Sequence, residues 1–464
     1  MKQLQIVAAV IAGAIAATVH AAPRPNLVFI MADDCTFRDL GCYGGQALTP
    51  RIDALARQGM RFTRCFQTTA MCSPTRHNIY TGLSPFRSGA YPNHTYVTPG
   101  TKSVVHFLQP AGYRVALSGK KHIAPPESFP FEYSGEKNPD MQAVETLLAE
   151  CVGSSTPFCL FACSNEPHAP WNKGDPAPYD PEQLILPPYF ADTPQTRNAF
   201  RSYLAEIGYF DSQVGQILDL IDRHNMADNT LVMVVSEQGS GFPFGKWTCY
   251  DTGLQSACIV RWPGRVPPGT VTDAMIEYVD ILPTLLQAAG ITAPDSLDGE
   301  SFLPVLLGEK SQHKQYVFGQ MTTRGIIRSS DYFGIRSIRS ARYKYIWNFT
   351  PKVTFQNACT HSAVFRSWQI AAVSGDTDAA DKVRRYQHRP AEELYDIEDD
   401  PLEWNNRADD PELADIRADL HRRLEAWMQD CGDKGQQTEL EARQHQYAHL
   451  RRIRQRENAE PNRR

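Results

Sequence analysis

The chain has 464 residues, with 47 Lys and Arg against 52 Asp and Glu and a formal net charge of −5. That length exceeds one ordinary hydrophobic core and predicts two or three domains, with room for a buried cleft. The slightly acidic balance gives no overall basic field, which excludes a chain built to hold nucleic acid and leaves any polyanion to a local cluster of cations.

Met1-Lys2 and the apolar run from Ile6 to Val19 end in Val19-His20-Ala21, a small-residue cleavage pattern. Residues 1–21 therefore read as a secretory signal peptide, and the mature chain is expected in the periplasm or outside the cell. No later stretch approaches the roughly 20 apolar residues needed to cross a bilayer. Eleven cysteines are an odd number, so at least one is unpaired or committed elsewhere. No cysteine spacing resembles a zinc ribbon or a redox pair.

Within Pro25 to Ala32 the run Leu27-Val28-Phe29-Ile30-Met31 predicts a buried parallel strand that stops at Asp33-Asp34. Tyr113 to Leu117, Phe158 to Ala162 and Leu231 to Val235 behave alike. They lead into Lys120-Lys121-His122, into Asn165 through His168, and into Glu237-Gln238. Between them, Thr49-Pro50 opens a predicted helix that Gly59 stops, and Gln213 to Ile221 is amphipathic. Strand and helix alternating in this way predict an α/β fold, a largely parallel central sheet flanked by helices over residues 22–320. A smaller C-terminal α+β domain is expected over residues 321–433, with antiparallel strands around Phe333 to Ile346 and Glu393 to Asp396 and a helix near Pro411 to Met428. Residues 434–464 form a charged tail with no assigned chemistry.

Ligands of parallel sheets sit beyond the carboxyl ends of the strands, where this chain delivers polar groups from four separate strands. Asp33, Asp34, Glu237 and Gln238 are hard oxygen donors, suited to calcium or magnesium and not to zinc. Lys120 and Lys246 can clamp a tetrahedral anion, and His122 and His168 can exchange protons near neutrality. His94 and His106 have no comparable context and read as incidental. Cys72-Ser73-Pro74-Thr75-Arg76 places a thiol at a helix entrance, beside unpaired N–H groups and an arginine. From these residues alone it reads equally as a reactive group and as a buried structural cysteine.

The same stretch, Cys-Ser-Pro-Thr-Arg followed by Thr81-Gly82, resembles the signature of the type I, formylglycine-dependent sulfatases of the alkaline-phosphatase superfamily. Pro-Asn-Leu-Val-Phe-Ile-Met-Ala-Asp-Asp, Gly119-Lys120-Lys121-His122, Pro167-His168-Ala169-Pro170, Lys246 through Asp251 and Glu393 through Glu403 are similar to further motifs of that family. The resemblance implies that a maturation enzyme oxidises Cys72 to formylglycine, whose hydrate attacks sulfur. It implies one divalent ion, calcium first and magnesium second, on Asp33, Asp34, Glu237, Gln238 and the modified Cys72. Arg76 would hold the hydrate, Lys120 and Lys246 the sulfate, His168 would serve the leaving group, and His122 would collapse the sulfated intermediate. Two departures stand out: Glu237-Gln238 replaces Asp-Asn/His, and Gln255-Ser256-Ala257 replaces Arg-Val-Pro. Within the family, Tyr113 to Pro130 looks most like the heparan N-sulfoglucosamine sulfohydrolases, so that substrate is the leading expectation. An O-sulfated algal or host polysaccharide such as ulvan is the alternative, with a phosphatase or a non-catalytic glycan binder behind it. The arginine-rich stretch Arg324 to Arg342 reads as an exposed basic strand in preference to a sulfate contact.

Overall fold

The computed structural model describes residues 24–443, so the signal-peptide expectation and the last part of the tail lie outside the described residues. Strand β1, Asn26–Ala32, is buried along its whole length. It lies in a mixed sheet with β2 Met60–Phe66, β3 Arg114–Gly119, β4 Glu132–Ser134, β5 Phe158–Cys163, β6 Thr230–Ser236, β7 Gln255–Arg261, β8 Thr270–Thr272 and β9 Ile276–Glu277. The order is β4-β3-β5-β1-β6-β7-β2-β8, with β9 also on β2. The block from β4 to β6 is parallel throughout, and β7 runs antiparallel to both of its neighbours.

Side chains alternate across a strand, so a strand buried on both faces must feed two cores. Val28 and Ile30 enter one, with Leu160, Val232 and Val234, under helices Pro50–Gln58, Met141–Ser154 and Pro194–Arg223. Leu27, Phe29 and Met31 enter the other, with Phe161, Met233 and Val235, under helices Cys72–Thr81 and Ile281–Ala288. Truncating Phe29 to alanine in such a sandwich costs about 3–5 kcal/mol.

Helix Pro194–Arg223 has 30 residues, far more than the segment from Gln213 expected from the sequence. Thr193 caps it by accepting from Thr196 N, and Phe200, Tyr203, Ile207, Phe210, Val214, Ile217 and Ile221 continue one buried stripe past Gly208. The stripe's burial outweighs the roughly 1 kcal/mol that glycine costs inside a helix.

A second sheet of four antiparallel strands runs β10 Val317–Thr322, β11 Gly334–Arg339, β12 Tyr343–Asn348 and β13 Glu392–Asp396. Ile338, Tyr345 and Leu394 pack on helix Ala414–Asp430. Met321, Ile335, Ile346 and Tyr395, on the other face, join the core that also holds Val28 and Ile30. Helices Ala363–Val373 and Thr377–Gln387 dock on helix Pro194–Arg223 and the loop before it, where Trp368 Nε1 donates to Thr196 Oγ1 at 2.8 Å and Lys382 Nζ to the Phe190 carbonyl at 2.8 Å.

The arginine-rich strand is not an exposed basic face. Arg336 is fully buried, with Nε 2.6 Å from Asp433 and Nη2 2.9 Å from Glu439. Arg339 is buried against Asp251, whereas Arg342 is half exposed and pairs with Asp396 at the surface. The beginning of the expected charged tail is thereby fastened into the second sheet, and its residues from 436 to 443 are helical. Among the described residues every cysteine is a free thiol.

Candidate active site

Strands β1 and β6 are parallel neighbours with Ala32 opposite Ser236, so the residues that follow, Asp33-Asp34 and Glu237-Gln238, emerge side by side. All four are buried. Gly239 has to be glycine here: a Cβ would stand 1.9 Å from the Thr252 carbonyl oxygen. At the other edge of the cluster, Cys72 is the first residue of its helix, with Met71 extended before it.

One ligand atom from each of Asp33, Asp34, Cys72 and Glu237 lies within 4.8 Å of the others. Cys72 Sγ is 3.6 Å from Asp33 Oδ1 and 3.1 Å from Gln238 Nε2. Gln238 turns its amide nitrogen to the cluster, also donating to Asp34 Oδ1 at 2.6 Å, while its Oε1 is buried without a partner. Burial pushes the Cys72 thiol up to about 12, Asp33 adding to the effect, so the unmodified side chain is a protonated thiol and no nucleophile.

Three cations face the three carboxylates. Arg76 puts Nε 2.7 Å from Glu237 Oε1 and donates Nη1–H to the Lys120 carbonyl at 2.7 Å. Its guanidinium is thus committed to Glu237 and the backbone. Lys120 Nζ pairs with Asp33, and Lys246 Nζ lies 2.8 Å from Asp34. Burial opposes charge on Asp33, but Lys120 first and then the neighbouring groups hold its carboxyl well below the usual range. Burial raises Glu237 to about 8, against the pull of Arg76.

The histidines take separate positions. His168 donates Nδ1–H to the Ala169 carbonyl at 2.7 Å, which leaves Nε2 facing Asp34 Oδ2 at 3.6 Å. His122 Nε2 is 2.8 Å from Nδ1 of His94, and burial drives the His122 ring to about 2, which keeps it neutral. His94, set aside in the sequence reading, therefore belongs to the site, whereas His106 pairs with Ser103 in a helix cap. Asp34, His94, His122 and Trp247 all have positive φ, at 57°, 55°, 46° and 66°. Left-handed backbone in non-glycine residues costs of order 1–3 kcal/mol each and concentrates where side chains must be aimed. Thr75 donates its hydroxyl to the Thr69 carbonyl at 2.6 Å.

The cluster fits a hard divalent cation: three buried carboxylates supply oxygens at mutual distances one ion can span and no imidazole is needed, while Gln238, expected as a further ligand, here turns its amide nitrogen inward and would offer its oxygen only with the amide flipped. A parallel-sheet crevice that gathers acidic ligands, two lysines and two histidines around a helix-entry cysteine defines an α/β hydrolase for oxyanion esters.

Comparison with known proteins agrees with that class. The family model described as "Sulfatase" matches residues 25–291, and "N-sulphoglucosamine sulphohydrolase, C-terminal" matches residues 239–357. The chain is 33% identical over 422 residues to an "Ulvan-active sulfatase" of Formosa agariphila, covering 88% of this chain and 81% of that one. It is 27% identical to the human "N-sulphoglucosamine sulphohydrolase", covering 89% and 91%. Among solved structures, a complex with "its substrate D-Glucosamine-2-N, 6-O-disulfate" superposes with TM-score 0.68 at 20% identity, covering 89% and 99% of the two chains. A "2-O GAG sulfatase" superposes with TM-score 0.66 at 19% identity, covering 88% and 93%. The chain belongs to the sulfatase family and is a sulfuric ester hydrolase.

Proposed function

We propose that this protein removes sulfate from a sulfated carbohydrate, using an oxidised Cys72 as nucleophile and a calcium or magnesium ion as electrophile. The observation that carries the reading is the convergence of Cys72, Asp33, Asp34 and Glu237 within one 4.8 Å cluster, clamped by Lys120 and Lys246. Held by Asp33, Asp34, Glu237 and Gln238, the ion would polarise the sulfate oxygens.

The steps assigned to the chain are these. A hydroxyl of the Cys72-derived aldehyde hydrate attacks sulfur and passes its proton to an adjoining carboxylate of the cluster, Lys120 and Lys246 neutralise the oxygens, and His168 gives a proton to the departing sugar as its bond to sulfur breaks. His122, held in its pair with His94, is assigned to take the proton of the remaining hydroxyl. Sulfate leaves as the aldehyde re-forms, and water restores the hydrate. Arg76 orients Glu237 and the Lys120 loop. This reading also needs a maturation enzyme acting on the Cys72 motif, and export of the chain to where sulfated polysaccharides occur.

Two substrate classes have support. An O-sulfated sugar of an algal polysaccharide such as ulvan is favoured by the 33% identity to a relative named for ulvan. The N-sulfoglucosamine of heparan is favoured by the C-terminal match over residues 239–357. Sulfate release from ulvan fragments, N-sulfoglucosamine and a phosphate-ester control, measured by ion chromatography, separates them. Mass spectrometry of the peptide spanning Cys72 should show the aldehyde, about 18 Da below cysteine. Full activity from unmodified Cys72, or turnover of the phosphate ester alone, would refute the assignment.

A further inference from the structure

Three residues of the site, Asp34, His168 and Lys246, border a larger space next to the Cys72 cluster. A cavity of about 560 Å³ opens from Asp34, His168 and Lys246, walled by Trp171, by Trp247, and by Gln195, Asn198 and Ser202 of helix Pro194–Arg223. The segment from Ala358 to Val364 closes its far side. Apart from the three floor residues, every side chain lining it is uncharged. Lys246, the one lysine at the floor, pairs with Asp34 and is assigned to the scissile sulfate, so it is not free for a second one.

Both indoles are fixed. Trp171 donates Nε1–H to the Pro167 carbonyl at 2.8 Å and stacks on Phe242 with ring centroids 4.6 Å apart. Trp247 sits under the Lys246 ammonium, 5.1 Å from its ring centroid, and its Nε1–H has no hydrogen-bond partner in the protein. Rigid aromatic walls suit the apolar face of a sugar ring, and Gln195, Asn198 and Ser202 supply neutral groups for hydroxyls.

We propose that this cavity receives the ring carrying the scissile sulfate, and that it selects a ring bearing no second charged group. The proposal rests on the carbohydrate sulfatase reading above and narrows its substrate class. A second sulfate held here would lose water and meet no cation, so the lining acts as rejection by omission.

The test uses the full, matured protein and monosaccharides in pairs, one sulfate against two on the same ring, including glucosamine N-sulfate with its N,6-disulfate and an O-sulfated deoxysugar with its disulfate. The expected result is kcat/KM at least about tenfold higher for the monosulfated member. Asn198→Lys, which adds a cation to the wall at an exposed helix position, should shift that ratio toward the disulfated sugar by about tenfold with circular dichroism unchanged. Equal turnover of both members, or a ratio that Asn198→Lys does not move, overturns the proposal and leaves a working sulfatase. Release of sulfate from polymer with none from any monosaccharide overturns it as well. If nothing sulfated is turned over, the parent reading fails and this one with it.

Discussion

Replacing Lys344 by methionine should damage both stability and activity, although the residue lies on β12, far along the chain from the reacting groups. Its ammonium is buried, 2.7 Å from Asp251 Oδ1 and 3.0 Å from Glu403 Oε1. At an effective dielectric constant of 20, a contact of 2.7 Å is worth about 6 kcal/mol of gross attraction, most of it offset by the desolvation of the two ions. What the substitution exposes is the other half of that account. Asp251 keeps Arg339 at 2.9 Å, but Glu403 loses the one cation that pairs with it among the described residues. Burial already raises Glu403 to about 7, with Lys344 the main opposing influence. Leaving such a group unpaired costs about 3–5 kcal/mol. Urea titration followed by tryptophan fluorescence should show a loss of about 4 kcal/mol, and Lys344→Met/Glu403→Gln should recover part of it because the orphaned carboxyl is gone. Glu403 Oε2 also accepts from Asp251 N at 2.5 Å, five residues after Lys246, so sulfate release should fall too. A loss below about 1 kcal/mol with no recovery in the double variant would refute the reasoning.

Four other outcomes are expected. Lys246→Ala should lower sulfate release by about 10²- to 10³-fold with the fold intact by circular dichroism, since a buried cation is removed from the anion it is meant to meet. EDTA dialysis should abolish turnover, with calcium or magnesium restoring it and zinc failing to; full activity in the chelated protein would exclude the proposed ion. His94→Ala, which deletes the partner of His122, should cut kcat by about tenfold, the worth of one buried hydrogen bond, with KM little changed. Burial raises Asp39 to about 7 in the folded protein, so its contribution to stability is present below its ordinary value and lost as pH rises through 7. Asp39→Asn should therefore have the higher urea midpoint at pH 8, and the advantage should vanish near pH 4; the opposite ordering would count against a buried carboxyl there.

The strands that carry the site were legible because a strand buried on both faces has to be written as an unbroken apolar run, and its end is marked by the first charged residue. Asp33, Lys120 and Glu237 could be located by that rule alone, whereas after β5 the first charge is Glu166 and His168 lies two residues beyond it. The antiparallel members β2 and β7 were not, since Arg61 and Arg64 interrupt the first and Gln255 and Ser256 open the second. His94 had no signal because its role depends on two left-handed turns bringing it to His122. The arginines of β11 misled for a related reason: composition records their charge, while the acids that neutralise Arg336 are 97 and 103 residues further on.

That separation has a bearing on the order in which the protein can be completed during synthesis. The strand bearing Arg336 is made about a hundred residues before Asp433 and Glu439, and until they arrive a guanidinium destined for full burial lacks both carboxylates and has the faces of Phe86 and Phe349 and the carbonyls of Met321 and Ile335 beside it. The buried site of Arg336 can therefore close only once the stretch through Glu439 has been made, which ties the completion of the second sheet to residues about a hundred positions downstream of its own strand.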